Sequence, residues 1–427
     1  LFTGWPLLVG YFLLPWISWD GRQAVLFNLP ERKFDILGLT FWPQDFPMLA
    51  FLLIIAAYSL FAVTTFAGRI WCGYTCPQTV WTSIFMWIEQ KTEGSRNQRI
   101  KLDQSPLSTE KVLRKGAKHI GWLYVGYATG FTFVGYFYPI RELVPDFWTG
   151  QLSGWPLFWI SFFTLATYIN AGWMREQVCK YMCPYARFQS VMFDHDTLIV
   201  SYDAARGEPR GSRKRSADRG ELSLGDCVNC ELCVQVCPTG IDIRNGLQYE
   251  CIGCALCVDA CDSVMDKMDY PKGLIRYTSE RELAGGKTHW LRPRIIGYTL
   301  MLCVMVGVFS YNMVSRIPLE LTAMGDRNQL YVETADGDIE NIYTLQLINM
   351  DRVPHTFILS VDAAPDATLI GDSQYRLDGG EIRSISLRVR IDPAQLSRPS
   401  EPITFQARSL DSPDLQTSAE SRFIKPL

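Results

Sequence analysis

The sequence predicts an α-helical membrane protein with about five transmembrane helices, a cysteine-rich α+β domain between the fourth and fifth helices, and a C-terminal β-sandwich. Three observations predict this fold class. Apolar runs of about 20 residues, the length that crosses a bilayer, recur before the C-terminal region. Twelve of the 13 cysteines fall into short regular motifs. The C-terminal region alternates polar and apolar residues between turn formers, as consecutive strands do.

The composition bounds the class of protein. A chain of 427 residues is expected to form two or three units. The net charge of −3 gives no electrostatic reason to expect a nucleic-acid partner. Thirteen Trp, 19 Tyr and 23 Phe form an aromatic load typical of membrane proteins. Because the chain opens on Leu1 rather than Met, we expect an N-terminal piece to precede it.

Five apolar segments are candidates to cross the membrane. The second contains no charged residue, whereas two prolines interrupt the first. Buried core helices of a soluble protein are the alternative interpretation, and the lengths favour membrane spans. The segments are 1–19, 46–68, 120–139, 154–173 and 295–315.

Basic residues in the connecting loops predict the orientation. They concentrate after the second span and after the fourth, and the positive-inside rule places both loops in the cytoplasm. Five spans then put the C-terminal region outside, in the periplasm. A lipid or nucleic-acid patch is the alternative interpretation of the second basic cluster. That cluster comprises Arg210, Arg213, Lys214, Arg215 and Arg219.

Two copies of one cysteine spacing lie between the fourth and fifth spans. "CVNCELCVQVCP" and "CIGCALCVDACD" both read C-x2-C-x2-C-x3-C, with Asp262 where the second proline would stand. This is the bacterial ferredoxin run, in which the fourth cysteine binds the other [4Fe–4S] cluster. Zinc is the competing metal. The predicted ligands are Cys227, Cys230, Cys233 and Cys261 for cluster 1, and Cys251, Cys254, Cys257 and Cys237 for cluster 2.

The region 317–427 predicts an Ig-like β-sandwich. Stretches such as "IYTLQLI" and "RSISLRVRI" alternate with turn residues, and the region holds no cysteine. His355 stands alone and is interpreted as a surface or turn residue. Without a catalytic pattern, a docking or scaffolding role fits this region best.

Two C-x3-C-P elements each follow an apolar run. "RIWCGYTCPQTVW" contains Cys72 and Cys76, and "CKYMCPY" contains Cys179 and Cys183. Because proline favours the first helical position, we predict helices that begin just after Cys76 and Cys183. A helix N-terminus lowers the pKa of an adjacent thiol. If the intervening turn is helical, both sulfurs face one side and could share a metal ion.

The repetition of this element favours a functional role over inert packed thiols. Soft thiolates select Cu(I), zinc or an iron–sulfur cluster, and a dithiol could instead cycle to a disulfide. Cys303 is interpreted as a packing residue inside the fifth span. His119 and His289 flank spans and are weaker candidates to support a metal. No histidine pair inside the spans indicates b-type haem, and no G-x-G-x-x-G indicates a dinucleotide site.

Taken together, "RIWCGYTCPQTVW", "VCKYMCPYARFQSVMFD", "DTLIVSYDAARGEPRG" and the double ferredoxin run resemble the CcoG/FixG/RdxA family. These are accessory proteins for assembly of cbb3-type cytochrome c oxidase. The resemblance covers essentially the whole chain. It implies a multi-pass protein of the bacterial inner membrane, with a cytoplasmic ferredoxin-like domain and a periplasmic sandwich. It also implies an oxidoreductase, a cupric reductase, with the eight ferredoxin cysteines as cluster ligands.

The resemblance further implies that Cu(II) is reduced to Cu(I) and passed to a copper-exporting P-type ATPase and on to the oxidase. We expect copper, as substrate or bound ion, at Cys72, Cys76, Cys179 and Cys183, and a third metal centre there is an open alternative. The electron donor is not identified by any motif, and a homo-oligomer is open.

Two other functions stay open at this stage. One is a membrane ferredoxin that relays electrons to another redox partner, as in NapH and NosR relatives. The other is a non-enzymatic assembly scaffold. The expected domains are 1–196 (four helices and both C-x3-C-P motifs), 197–292 (ferredoxin-like), 293–316 (fifth helix) and 317–427 (sandwich).

Overall fold

The computed structural model describes residues 4–19, 21–215, 223–327, 329–363, 367–396 and 398–426. The chain forms two compact units, Leu1–Phe309 and Ser310–Leu427. The four finer domain boundaries expected from the sequence stay predictions. Arg219 of the predicted basic cluster lies outside the described residues.

The first unit is mainly helical. Of two π-helical segments, Tyr168–Met174 precedes the second cysteine pair and Val178–Met182 contains Cys179. The α-helices are α1 Gly4–Leu13, α2 Phe46–Ala67, α3 Ile70–Tyr74, α4 Pro77–Glu93, α5 Arg96–Gln104, α6 Thr109–Val134, α7 Ile140–Thr149, α8 Gly154–Thr167, α9 Pro184–Met192, α10 Ala204–Gly207, α11 Leu232–Gln235, α12 Leu256–Met268, α13 Glu280–Leu283 and α14 Pro293–Val314.

Short strands complete the first unit and pair only in antiparallel fashion. β3, β4 and β5 form one small sheet, β1 pairs with β2, and β6 pairs with β7. Their bounds are β1 Ser18–Trp19, β2 Arg22–Gln23, β3 Val25–Asn28, β4 Lys33–Ile36, β5 Leu39–Phe41, β6 Ile199–Tyr202 and β7 Ile275–Thr278.

Two helices of the described chain are long and apolar enough to cross a membrane. They are α14 and α2, the latter with the turn Pro43–Asp45 before it, and a third span is counted if α7 and the helix Gly154–Met174 form one span bent by 98°. The prediction of about five spans is therefore confirmed for two. Within 1–19 the helix α1 has only ten residues, and 120–139 overlaps the second half of α6. These remaining spans stay predictions.

Both spanning helices present apolar side chains outward. Leu53 on α2 is 63% exposed and Leu300 on α14 is 65% exposed. Neither helix carries a charged residue in its centre. Apolar surface of this extent is favourable in lipid and costly in water. Cys303 on α14 is also exposed, and its interpretation as a packing residue inside the fifth span stays a prediction.

Helices α6 and α8 pack with their backbones close together. A Cβ on Gly130 would lie 2.7 Å from the carbonyl oxygen of Ile160, and one on Gly126 would lie 2.9 Å from that of Thr164. Small residues spaced four apart allow this approach between membrane helices. The contact fixes α8, whose π-helical continuation leads to the second cysteine pair.

The second unit is a β-sandwich. One sheet has the order β12-β14-β10-β8 with β9 paired to β10, and the other has the order β13-β11-β15-β16. Fully buried Leu345, Phe357 and Phe405 lie in the core between them. The strands are β8 Leu319–Gly325, β9 Val332–Glu333, β10 Ile339–Asn349, β11 His355–Asp362, β12 Thr368–Ile370, β13 Gln374–Leu377, β14 Ile382–Ile391, β15 Ser400–Ser409 and β16 Gln416–Ile424.

His355 is not a surface or turn residue, and that interpretation was wrong. It begins β11, is only 5% exposed, and its Nε2 lies 2.9 Å from Oδ2 of Asp351. The carboxylate gives Nε2 of the buried ring a polar partner where solvent does not reach it.

Candidate redox site

The two ferredoxin runs fold in the same way. Asn229 and Glu231 have positive φ in the first run, and Gly253 and Ala255 have positive φ at the matching positions of the second. Short helices α11 and α12 then begin at matching positions. The left-handed residues at these positions bend each C-x2-C-x2-C loop so that it curves around its own interior space.

One cavity of about 350 Å³ lies beside the second run. All four cysteines predicted for cluster 2 line it, with Cys233 at its edge and apolar residues such as Ile241 and Ile252 around them. The cysteines of the quartet are Cys237, Cys251, Cys254 and Cys257. We call this space the inner cavity.

A second cavity of about 360 Å³ lies beside the first run. All four cysteines predicted for cluster 1 line it, together with Arg244. Cys230 is exposed, whereas every other cysteine of the two quartets is buried or half-buried. The quartet is Cys227, Cys230, Cys233 and Cys261. We call this space the outer cavity.

The donor set fits an iron–sulfur group in each cavity. Four soft thiols in an apolar surrounding are the ligands that such a group takes. Within the described residues, no three His, Cys, Asp or Glu side chains converge at the spacing of a single metal ion. A cubane cluster is larger than one ion, so its thiolates stand further apart than the ligands of zinc.

Burial keeps three of the ferredoxin thiols, those of Cys254, Cys257 and Cys261, protonated until a metal binds. It raises the pKa of Cys254 to about 11 and the pKa of Cys257 and Cys261 to about 12. Since the thiolate is the metal ligand, assembly of the group must release these protons.

Asp262 differs from the proline of the ferredoxin pattern for a structural reason. The residue lies inside α12, which continues to Met268, whereas α11 ends at Gln235 before Pro238. Its Oδ1 accepts a hydrogen bond of 2.9 Å from the backbone N–H of Gly273. The aspartate therefore allows a longer helix and ties it to the following turn.

The C-x3-C-P elements have the predicted helix starts. α4 begins at Pro77 and α9 begins at Pro184, so Cys76 and Cys183 are the N-cap residues. The condition for the two sulfurs of the first pair to face one side, a helical turn from Cys72 to Cys76, is not met. Cys72 belongs to α3, but Cys76 has ψ of 128° and breaks the helix. Proline at the next position disfavours helical backbone at the residue before it.

The four thiols nevertheless share one electrostatic environment. Burial and the neighbouring Cys76 raise the pKa of Cys72 to about 12, and Cys183 adds to that rise. Burial, followed by Cys76 and Cys183, raises the pKa of Cys179 to about 11. Cys72 of the first pair thus interacts electrostatically with Cys183 of the second, and Cys179 of the second pair interacts with Cys76 of the first. For these first thiols, burial outweighs any helix dipole.

Sequence reasoning missed a buried hydrogen-bond chain behind Cys72. The Sγ of Cys72 donates to Oε1 of Gln189 at 3.4 Å, and Nε2 of Gln189 donates to Thr64 at 3.3 Å. Thr64 lies 2.5 Å from the hydroxyl of Tyr185. Gln189 and Thr64 are fully buried. The only sequence signal was a polar residue inside an apolar stretch.

Sequence reasoning also missed a structural role of Arg69, three residues before Cys72. Its guanidinium donates to the backbone carbonyls of Tyr249, Cys251 and Ala186. Only 6% of Arg69 is exposed. A charged residue at the end of an apolar run was the available signal.

Both cysteine pairs contact the surroundings of the inner cavity. A Cβ on Gly73 would lie 2.8 Å from the Cα of Cys254, so α3 lies directly against that loop. In the second pair, Nζ of Lys180 donates to the carbonyl of Thr239 at 2.8 Å. The hydroxyl of Thr239 lies 3.3 Å from Sγ of Cys237.

Buried ion pairs hold the adjoining ends of α4 and α6. Glu89 pairs with Arg99 at 2.7 Å and Arg175 at 2.5 Å. Glu93 pairs with Lys118 at 2.9 Å. Paired partners are what a buried carboxylate requires. These charges therefore order the C-terminal end of α4, the end opposite Cys76.

The two histidines considered as metal supports have other partners. Nδ1 of His119 lies 2.9 Å from the hydroxyl of Tyr168, and the ring packs against Trp122. Nδ1 of His289 lies 3.9 Å from Oδ2 of Asp196, and its side chain is 62% exposed. Neither belongs to a metal-binding group among the residues that the structure describes.

Three family models match the chain. The model described as a "4Fe-4S dicluster domain" matches residues 174–280. The model described as an "IG-like fold at C-terminal of FixG" matches residues 309–426. A third, described as a "4Fe-4S binding domain", matches residues 48–93.

Two curated relatives are similar along most of their length. The nitrogen fixation protein FixG of Rhizobium meliloti is 39% identical over 410 residues, which cover 87% of this chain and 78% of the relative. Protein RdxA of Cereibacter sphaeroides is 40% identical over 379 residues, covering 84% and 79%. The chain belongs to the FixG/RdxA family. The resemblance found in the sequence motifs is thereby confirmed.

A solved structure is also similar to part of this FixG/RdxA family member. The crystal structure of a FixG-related protein from Vibrio parahaemolyticus is 29% identical, covers 26% of this chain and 98% of its own, and has a TM-score of 0.24. The family models confirm the dicluster iron–sulfur domain and the C-terminal Ig-like fold. The chain is thus an iron–sulfur electron-transfer protein with helices that could span a membrane.

Proposed function

We propose that this FixG/RdxA protein is a membrane-bound cupric reductase that converts Cu(II) to Cu(I) during assembly of cbb3-type cytochrome c oxidase. The observation that carries the proposal is the contact of both cysteine pairs with the inner cavity. Gly73 lies against Cys254, and Lys180 donates to Thr239 beside Cys237. A one-electron source and a soft thiol site are therefore adjacent.

The proposed ligands of the two iron–sulfur groups are the quartets that line the cavities. A [4Fe–4S] group, when bound, supplies electrons one at a time. The protein's part is to bind it through thiolates, to exclude water with apolar residues such as Ile241 and Ile252, and to set the local charge with Arg244 and Arg69.

Copper is the proposed substrate at the other four thiols. Cys72, Cys76, Cys179 and Cys183 are half-buried and interact electrostatically with one another. Soft sulfur favours Cu(I) over Cu(II), so the site stabilises the product of the one-electron step.

The proposed location follows from the basic loops. The protein would lie in the bacterial inner membrane, with the iron–sulfur domain cytoplasmic and the Ig-like domain periplasmic. Cu(I) would leave to a copper-exporting P-type ATPase and then to the oxidase. An upstream one-electron donor would dock at the exposed side of the outer cavity, near Cys230.

A second candidate function is electron relay through a third iron–sulfur group at the C-x3-C-P thiols. The specific observation in its favour is the "4Fe-4S binding domain" match over residues 48–93, which contains Cys72 and Cys76. Iron and acid-labile sulfide analysis separates the two. About eight irons per chain fits copper reduction with two clusters, whereas about twelve fits the relay.

The copper site is tested by replacing Cys72 and Cys76 together with serine. We expect Cu(II) reduction in vesicles to fall by at least about tenfold while the iron content stays unchanged. Cys303→Ser is the matched control, because Cys303 lies exposed on α14 and belongs to neither pair. Full activity of the double variant with intact clusters would refute the proposed site.

A further inference from the structure

We infer that electrons leave the iron–sulfur domain through the inner cavity and that Arg69 is the positioning residue that joins this exit to the four C-x3-C-P thiols. The inference rests on the proposed function, because it names the route by which copper at those thiols is reduced. It assigns different roles to the two iron–sulfur groups and a role to a residue outside the metal-binding motifs.

Arg69 connects three segments that are distant in sequence. Its side chain donates to the carbonyl of Cys251, a residue of the inner cavity, and to the carbonyl of Tyr249 just before it. The other terminal nitrogen donates to the carbonyl of Ala186, three residues after Cys183. One guanidinium thus holds together the first cysteine pair, the second cysteine pair and the loop 251–257 of the second ferredoxin run. We call this loop the inner loop.

The charge of Arg69 has no carboxylate to neutralise it among the described residues. Its hydrogen-bond acceptors are all carbonyls, and its buried Nε has no partner there. Burial lowers the pKa of Arg69, and the nearby Cys72, Cys251, Cys179 and Cys183 oppose that lowering. A buried cation between two sets of thiolates stabilises additional negative charge on either set.

The helix of the first pair touches the same loop without an intervening side chain. A Cβ on Gly73 would meet the carbonyl oxygen of Gly253 and the Cα of Cys254 at 2.8 Å each. Tyr277 donates to the carbonyl of Gly253, and its hydroxyl lies 3.2 Å from that of Tyr74. Residues between Cys72 and Cys76 are therefore bound directly to the inner loop.

The outer cavity has the opposite character. None of its described contacts reaches either cysteine pair, and Cys230 on its wall is exposed. Its cation is Arg244, which pairs with Asp242 at 2.7 Å and interacts with Cys233 and Cys227. Solvent exposure suits the outer cavity for entry of an electron, and contact with the thiols suits the inner cavity for exit.

The step balances as a single-electron transfer. With the groups bound, Cu(II) at the thiols would gain one electron and become Cu(I), and the group held by the inner-cavity cysteines would supply that electron. The group held by the outer-cavity cysteines would replace it with an electron from a one-electron donor protein. No covalent bond forms or breaks.

The first experiment is a copper-free redox titration of the full-length, cluster-loaded protein, followed by electron paramagnetic resonance. We expect Arg69→Gln to shift the midpoint potential of one cluster signal to a more negative value, because removal of a cation destabilises the reduced form. Arg244→Gln should shift only the other signal. A shift of the same signal by both variants, or no shift in Arg69→Gln, would overturn the inference.

If the Arg69→Gln variant does not bind its iron–sulfur groups, Lys180→Gln is titrated in its place. Lys180 contacts Thr239 beside Cys237, so its loss should move the signal that Arg244→Gln leaves unchanged. A shift of the Arg244-dependent signal instead would count against the inner cavity as the exit. These titrations contain no copper, so they decide the role of Arg69 even if copper proves not to be the substrate.

The second experiment measures a single turnover after prereduced protein is mixed with Cu(II). Gly73→Ala forces α3 away from Cys254, and we expect oxidation of the clusters to slow by at least tenfold with unchanged midpoint potentials. Gly297→Ala is the matched control, because a Cβ there meets nothing within 4 Å. Equal rates in both variants would refute the exit. No oxidation in the unaltered protein would refute copper reduction itself.

Discussion

The hydroxyl of Tyr277 lies 3.2 Å from the hydroxyl of Tyr74 and also donates to the carbonyl of Gly253. Tyr74 stands between the two cysteines of the first pair, and Tyr277 belongs to β7 of the iron–sulfur domain. The phenol of Tyr277 therefore links the first C-x3-C-P element to the loop of the second ferredoxin run.

Tyr277→Phe should loosen this junction. We expect a loss of about 1 kcal/mol in the free energy of unfolding, because a half-buried carbonyl loses its donor. Thermal unfolding of the cluster-loaded protein in detergent measures it. Tyr124→Phe is the control, since Tyr124 is 71% exposed on α6. Equal melting temperatures for the two variants would contradict the expectation.

Asp262→Pro should damage the iron–sulfur domain even though proline is usual at this place in ferredoxin runs. Asp262 lies in the interior of α12, where proline removes a hydrogen bond and costs about 3 kcal/mol. We expect reduced iron content per chain. Asp262→Ala keeps the helix and loses only the bond to Gly273, so its iron content should be close to that of the unaltered protein.

Gly130→Ala should destabilise the packing of α6 against α8. The added methyl group would meet the carbonyl of Ile160 at 2.7 Å and push α8 away from α6. Gly116→Ala on the same helix meets nothing within 4 Å and should be neutral or slightly stabilising. Thermal inactivation in detergent compares the two variants, and equal half-lives would argue against close contact between α6 and α8.

Phe405→Ala should strongly destabilise the Ig-like domain. The side chain is fully buried between the sheets, and loss of such a ring costs about 3–5 kcal/mol. Calorimetry of the full chain should show one transition shifted down while the other is retained. Leu410→Ala is the control, because Leu410 is 52% exposed. Coincident calorimetric profiles for the two variants would show that the ring is not part of the core.

Asp196 should make the stability of the iron–sulfur unit depend on acid pH. Hydrogen bonds from Arg281, and then from the backbone N–H of His289, lower the pKa of Asp196 to about 2. The unfolded value is about 3.9, so the stabilisation is complete above about pH 4 and is lost as the pH falls towards 2.

The corresponding variant is Asp196→Asn. Its melting temperature should lie below that of the unaltered protein at neutral pH, and the difference should shrink below about pH 4. Asp414→Asn, at an exposed position in the other unit, should show no such convergence. A constant difference across the pH range would refute the role of the ion pair.

Local chemistry was predicted well from the sequence. Pro77 and Pro184 start helices because proline fixes the first helical turn without help from the rest of the fold. Each expected quartet also lines one cavity, with three cysteines from one short loop and the fourth from the other run. The alternating pattern predicted the sandwich for the same reason, because strand periodicity is local.

Features that depend on distant contacts were not predictable. The acceptors of Arg69 come from residues 186, 249 and 251, and no local pattern brings those segments together. His355 was misjudged because burial depends on the opposite sheet and on the nearby Asp351. The break between Cys72 and Cys76 could have been foreseen from Pro77, which restricts the preceding residue.

The two C-x3-C-P elements share one backbone hydrogen bond. The N–H of Cys76 donates to the carbonyl of Trp71 at 2.9 Å, and the N–H of Cys183 donates to the carbonyl of Val178 at 2.8 Å. In each element the acceptor is the residue just before the first cysteine, so each turn closes on the fifth residue and is wider than an α-helical turn. The two motifs are therefore matched parts, and a chimera with their internal residues swapped should keep both turns.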